Sequence, residues 1–238
     1  RRYGRLTSSG LLAAALVCSF VFGVAGWHWG IPFLLYLLSA NIWWRYSAIR
    51  RLDHAPSPTR KPWRSQGWKE VLASTIWAAS LALLHLLSPQ TSAILAAYVG
   101  ALATMAGDSW ATDVGILAMR SPRLITSGRR VRPGTPGAVT ALGAVAIVGA
   151  AWLIGFVALL SVVIRANLDQ SPWDRGWLWL PFAATVGGLV GCFVDSLLGA
   201  AAQAMFYCEH CQQESEERVH TCGKEATRQR GWPWLTNN

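Results

Sequence analysis

Three of the twelve acidic residues in this 238-residue chain stand where acids are costly. Asp108 and Asp113 close an apolar stretch in the segment GDSWATDVG, and Asp195 lies inside another in GCFVDSLLG. An ionised carboxylate at membrane depth by default marks a functional site. The bland alternative is a helix cap or a partner for Arg. Oxygen ligands of this type suit a hard divalent cation such as Mg2+. The two segments also repeat one another: Gly100 to Ser109 aligns without gaps on Gly187 to Ser196, setting Asp108-Ser109 against Asp195-Ser196. Parallel helices carrying that repeat could deliver all three acids to one divalent-metal site. Asp108 and Asp113 are five residues apart, about 500° of helical rotation and so about 140° past a full turn. Sharing one Mg2+ therefore requires the helix to break or bend around Gly107. An unbroken helix leaves them to serve two ions, or one of them to act through water.

Beyond these acids, residues 122–137 read PRLITSGRRVRPGTPG and combine Arg123, Arg129, Arg130 and Arg132 with Thr126, Ser127, Gly128, Gly134, Thr135 and Gly137. Glycines let backbone N–H groups approach an anion, and guanidinium groups clamp phosphate oxygens in pairs. Thr135-Pro136 reads as the cap and first residue of the next helix, whose positive end would face the same anion. The plain alternative is an ordinary basic loop, but the density of Gly and Thr beside two acids favours phosphate binding. The loop is not a Walker A motif, since G-x-x-x-x-G-K-[ST] is absent. Carboxylates for Mg2+ beside an Arg/Gly/Thr cradle are the equipment of phosphoryl transfer. At a membrane face they imply an amphiphilic acceptor with its tail between helices and its phosphate in the cradle.

A third group follows in Cys208-Glu-His-Cys211 and His220-Thr-Cys222-Gly223. Cys208, Cys211, His220 and Cys222 can surround a tetrahedral Zn2+, with His210 the rival for the fourth place. A reducing cytoplasm argues against a disulfide. Cys18 and Cys192, within apolar runs, read as small buried residues. His28, His54 and His85 are isolated in the sequence and are assigned no role.

The elements that must position these groups follow from composition. Hydrophobic residues make up 53% of the chain and charged ones 14%, against about 25% charged in a soluble domain. That composition argues against a soluble globular enzyme, and a disordered chain is excluded. The 14 Trp residues suit the level where headgroups meet hydrocarbon. Apolar runs fall at about 9–27, 29–44, 71–87, 91–107, 137–164 and 177–207, near the span length of roughly 17–25 residues. The second run can reach Arg45 by snorkelling. The expected fold is all-α: one polytopic membrane domain over residues 1–238 with about six transmembrane helices. The first span, preceded by Arg1, Arg2 and Arg5, reads as an uncleaved helix, because five more follow.

Of 21 basic residues, three lie in 1–5, seven in 45–69, five in 120–132 and four in 218–230. They flank apolar runs in the positive-inside pattern and form no continuous face for nucleic acid. Both ends are thus expected in the cytoplasm, together with a basic loop (45–69), an Asp/Arg/Gly-rich active-site loop (108–137) and the Cys/His loop (204–232). The 45–69 loop could lie on anionic headgroups, but its charge is read as a topology signal and nothing more.

With these residues in view, the chain resembles the integral-membrane family that includes plant phytyl-phosphate kinase and many bacterial and archaeal relatives. The motifs that carry the resemblance are LTSSGLLAAALV (6–17), GDSWATDVG (107–115), PRLITSGRRVRPGTPGAVT (122–140), VDSLLGAAAQ (194–203), the Cys-x-x-Cys…His-x-Cys-Gly loop and WLTNN (234–238). Members of that family usually continue into another apolar helix after the last motif. The chain departs from the pattern at Asn41-Ile-Trp-Trp44 and at Ala138. The resemblance implies a kinase of the bacterial cytoplasmic membrane that transfers phosphate from a nucleoside triphosphate, CTP, to an isoprenyl monophosphate such as phytyl or geranylgeranyl phosphate. The alternative from another class is a non-catalytic membrane subunit or transporter with an intramembrane acidic site. Acceptor length, the choice of CTP over ATP and oligomeric state are not legible in the sequence.

Overall fold

Away from water, a long apolar segment can satisfy its backbone hydrogen bonds only within itself or in a closed barrel, and in the computed structural model each apolar run is helical over most of its length. The structure describes residues 5–52, 66–88, 92–118, 121–172, 174–215, 218–219, 222–232 and 234. Among them are six α-helices: α1 (Ser8–Ala25), α2 (Trp27–Leu52), α3 (Trp68–Leu87), α4 (Ser92–Gly115), α5 (Ala141–Leu168) and α6 (Leu180–Ala201), the last preceded by a 3-10 turn at Arg175–Trp179. α1, α3, α5 and the segment Arg175–Ala201 are long and apolar enough to cross a membrane. Only 22 to 33% of each such stretch is buried within the protein. The remaining apolar surface, with Leu12, Trp77, Val145 and Phe182 well exposed, is what a bilayer would cover. α2 and α4 have 26 and 24 residues, about 36–39 Å of helix, but are more polar.

The chain divides into two compact units. The larger comprises residues up to Ala118 and Ala141–Cys192. Its core centres on Trp29, Phe33, Tyr98, Val99, Leu102 and Ile154. Small residues let its helices approach closely, as expected where lipid removes the hydrophobic drive for association. A Cβ on Gly187 would lie 3.2 Å from Gly100 Cα, and one on Gly107 would lie 3.1 Å from Ile147 Cγ2 and 3.2 Å from Cys192 Sγ. Gly191 likewise abuts Thr104, whose Oγ1 donates to Gly187 O at 3.2 Å. The pairs 100–187 and 104–191 advance together, so these stretches of α4 and α6 run parallel, in the register of the sequence repeat.

Two ends of this unit are tied by polar contacts. At one, Thr7 caps α1 by accepting from Gly10 N (3.1 Å) and donating to Gln66 O (3.2 Å). Gly10 itself abuts Gln66 O, leaving no room for a Cβ, so the Thr and Gly of the LTSSG motif have structural work. At the other end, Trp29 stacks on His85 (4.6 Å) and leans on Tyr98 (4.5 Å), while Arg165 reaches the His28 ring at 2.9 Å. His28 and His85, isolated in sequence, are thus neighbours of one aromatic cluster. His54 lies outside the described residues.

The smaller unit comprises Met119–Thr140 and Phe193–Asn238. It contains short strands that the all-helical reading did not anticipate. β1 (Arg123–Leu124) pairs antiparallel with β2 (Ala138–Val139). β3 (Met205–Cys208), β4 (Gln213–Ser215) and β5 (Thr227–Arg230) form an antiparallel sheet in the order β4-β3-β5. The apolar run expected to reach residue 207 ends its helix at Ala201 and continues into β3. In the larger unit α2 continues through Arg45 to Leu52, so the first part of the expected 45–69 loop is helical; residues 53–65 lie outside the described ones.

Candidate active site

α4 is unbroken from Ser92 to Gly115. Gly107 is a packing residue against α5 and α6, and the expected bend there is absent. Asp108 is consequently exposed and Asp113 buried, as their angular separation on a regular helix requires. The two carboxylates do not converge on one ion. Asp113 faces inward, with Oδ1 3.3 Å from Ser47 Oγ and Oδ2 3.9 Å from Arg5 Nη1. Arg5 also donates to Ala40 O (3.0 Å) and Ser109 Oγ (2.9 Å). One guanidinium thus joins the residue before the LTSSG motif, α2 and the Asp-Ser segment of α4. Arg5 and Ser47 were not singled out from sequence. The available signal was an arginine two residues before a helix cap, next to a motif with no evident chemistry of its own.

In the smaller unit, residues 121–140 fold back on themselves as a compact hairpin. Gly128 N donates to Leu124 O (2.8 Å), Leu124 N to Arg129 O (2.9 Å), Val131 N to Pro122 O (2.9 Å) and Ile125 N to Gly137 O (3.0 Å). Several backbone amides expected to cradle an anion are therefore used inside the loop. What it presents outward are side chains: Thr126, Ser127, Arg129, Arg130 and Arg132 are exposed, as are Gly128 and Gly134. Thr135 does not cap the fifth helix. α5 begins at Ala141, while Thr135 N and Oγ1 both donate to Arg132 O (3.1 and 2.8 Å) and close a turn ahead of β2. The helix could not start at Pro136 because β2 intervenes.

The hairpin rests on the last turns of α6. Gly137 has φ +74°, and a Cβ there would lie 2.6 Å from both Ala200 N and Ser196 O. Arg230 from β5 braces the same place, donating to Ala200 O (2.6 Å) and Pro136 O (3.2 Å). Asp195, one residue before Ser196, is exposed. The base of the arginine loop is therefore held against the last turns of α6, the helix that carries Asp195. Gly137→Ala combines a left-handed φ that costs a Cβ about 1–2 kcal/mol with contact against helix backbone. It is expected to loosen residues 122–140, measured as faster amide hydrogen exchange there with exchange in α4 and α5 unchanged.

The sulfurs of Cys208, Cys211 and Cys222 all lie within 4.8 Å of one another. His220, expected beside them, lies outside the described residues. The Cys211 thiol is pushed up to about 11, first by its hydrogen bond with Cys222, then by desolvation and by the charge its two sulfur neighbours would carry. Cys192 is buried as expected and touches Thr104 O at 3.5 Å.

The profile of the family described as integral membrane protein DUF92 matches residues 1–238. The chain belongs to that family. Among DUF92-like proteins, it is similar to Protein PGR of Arabidopsis thaliana, at 29% identity over 87% of this chain and 76% of PGR. It is also similar to the uncharacterized membrane protein MJ0933 of Methanocaldococcus jannaschii, at 32% identity over 56% of this chain and 49% of that protein. No solved structure gives a significant match. The resemblance drawn from the motifs therefore leads to the correct family.

Proposed function

We propose that this protein is a membrane kinase converting an isoprenyl monophosphate, such as phytyl or geranylgeranyl phosphate, to its diphosphate at the expense of a nucleoside triphosphate, CTP. The observation that carries the reading is the arginine hairpin, its side chains exposed and its base packed on the last turns of α6, where Asp195 is also exposed: cations suited to phosphate and a carboxylate toward the end of one apolar helix. Similarity to the plant relative supports it. The positive-inside pattern supports a cytoplasmic active face.

In this reaction an oxygen of the acceptor's phosphate attacks the γ-phosphorus. The new P–O bond forms as the bond to the β–γ bridging oxygen breaks, and the nucleoside diphosphate leaves. A phosphate monoester has its second pKa near 6, so the nucleophile is already an oxyanion at neutral pH and no general base is needed. The lack of a histidine in the loop is consistent with that chemistry. What the protein must supply is position and neutralisation of charge. Arg129, Arg130 and Arg132 are assigned to the phosphates, with Thr126, Ser127 and Thr135 as hydroxyl donors and Gly128, Gly134 and Gly137 shaping the hairpin. The nucleotide enters as its Mg2+ complex, which is a substrate. Asp108 and Asp195 are assigned to that complex from their places in the Gly-x7-Asp-Ser repeat. Asp113 is assigned a positioning role through Arg5.

The deciding experiment incubates purified protein with labelled CTP or ATP, Mg2+ and a panel of isoprenyl monophosphates. Labelled isoprenyl diphosphate is the expected product. No transfer to any member of the panel, from protein shown to be folded, would overturn the reading in favour of a non-catalytic membrane subunit. Arg129→Ala and Arg130→Ala should each raise KM for a phosphorylated substrate roughly tenfold, about 1.4 kcal/mol of lost binding, with little change in kcat, because a clamp engaged in the ground state acts on binding first.

A further inference from the structure

We propose that Cys208, Cys211 and Cys222 form a structural Zn2+ site holding the β3–β5 sheet. The inference is independent of the kinase reading. Cys208 ends β3, Cys211 lies in the turn between β3 and β4, and Cys222 precedes β5. The turn and the approach to the outer strand thus carry their sulfurs to one point at the edge of a three-stranded sheet. A tetrahedral Zn2+ with Zn–S bonds near 2.3 Å sets its sulfurs about 3.8 Å apart. Cys208 Sγ and Cys222 Sγ stand 3.7 Å apart, close to that edge and far beyond the ~2.05 Å of a disulfide.

The backbone adds a second observation. The residue after each of the later cysteines has a left-handed φ, +52° at Gln212 and +81° at Gly223. For glutamine this conformation is held only where surrounding structure imposes it, and here it turns the chain immediately past a candidate ligand. A third is the size of the core. Among the described residues, the buried apolar side chains clustered in this sheet are Ala204, Phe206, Cys208 and Ala226, with Cys211 packed against them. Sheets with cores of this size are commonly fixed by a metal. Three thiolates select a soft or borderline ion such as Zn2+ over Mg2+ or Ca2+. The ion is structural in this proposal: the sheet it fixes carries Arg230, which braces Ala200 and Pro136 at the base of the arginine hairpin.

The test uses the full chain purified in detergent under reducing conditions and without chelator. Elemental analysis should find about one zinc per chain, and replacement by Co2+ should produce thiolate-to-cobalt charge-transfer absorption. Adding a strong chelator should raise the number of rapidly alkylated thiols by three. Cys222→Ser should lower zinc retention through dialysis at least tenfold, and Cys18→Ser, in α1, should leave it unchanged. Should Cys222→Ser fail to fold, the wild-type cobalt spectrum and thiol count decide. Absence of both zinc and cobalt absorption, or a mass lighter by two hydrogens showing a disulfide among these residues, would overturn the proposal.

Discussion

Asp108→Asn and Asp195→Asn are each expected to lower kcat for isoprenyl diphosphate formation by about 10²–10³-fold, the usual cost of deleting one preorganised electrostatic contact to a transition state. Both carboxylates are exposed in the structure, so replacing them with an amide of the same shape should leave packing intact. The thermal unfolding midpoint in detergent should move by less than about 2 °C, in keeping with surface substitutions that change stability within ±0.5 kcal/mol. The measurement is turnover at saturating nucleotide and acceptor, paired with the midpoint on the same preparation. A fall in activity accompanied by an equal fall in midpoint would make the acid structural. Full activity in both variants would remove the acidic half of the proposed machinery and with it the phosphoryl-transfer reading.

Asp113→Asn should behave differently because its carboxylate is buried between Ser47 and Arg5. The amide can keep a hydrogen bond to Ser47, but Arg5, whose side chain is only 12% exposed, loses its counter-charge. Removing one member of a buried pair costs roughly 3–5 kcal/mol. The 3.9 Å separation and the two other hydrogen bonds of Arg5 place this case near the lower figure. About 3 kcal/mol corresponds to a midpoint lower by about 6–12 °C for a chain of this size. Arg5→Met in the same background should recover part of that loss, since the stranded charge is then gone. An unchanged midpoint for Asp113→Asn would show that the pair contributes nothing to the fold and would return Asp113 to the list of metal-binding acids.

These expectations differ for two acids that look alike in the sequence, and the reason is physical. GDSWATDVG places Asp108 and Asp113 on one helix and, by helical rotation, on different sides of it. Which side faces the protein depends on α2, on Arg5 and on the packing of Gly107 against α5 and α6. Arg5 lies 104 residues from Ser109, and no local pattern pairs them. The same limit applies to the arginine loop. Its residue types announced anion chemistry, but whether its amides or its side chains would be available depended on the pairing of β1 with β2, which consumes several N–H groups inside the hairpin.

What the sequence determined by itself was everything governed by local period and composition. Apolar runs of span length must become helices wherever water is absent, so the helical membrane architecture was legible from hydropathy. The Asp, Arg and Cys groups were legible because their spacing is short. The Gly100–Gly187 repeat was visible as a match, and its meaning as a close parallel contact emerged only once the helices were packed. Tertiary structure alone decided which acid is buried and that Thr135 closes a turn instead of capping α5. Each of those outcomes depends on partners distant in the chain, and partner choice follows from how side-chain volumes and backbone donors are satisfied together in three dimensions.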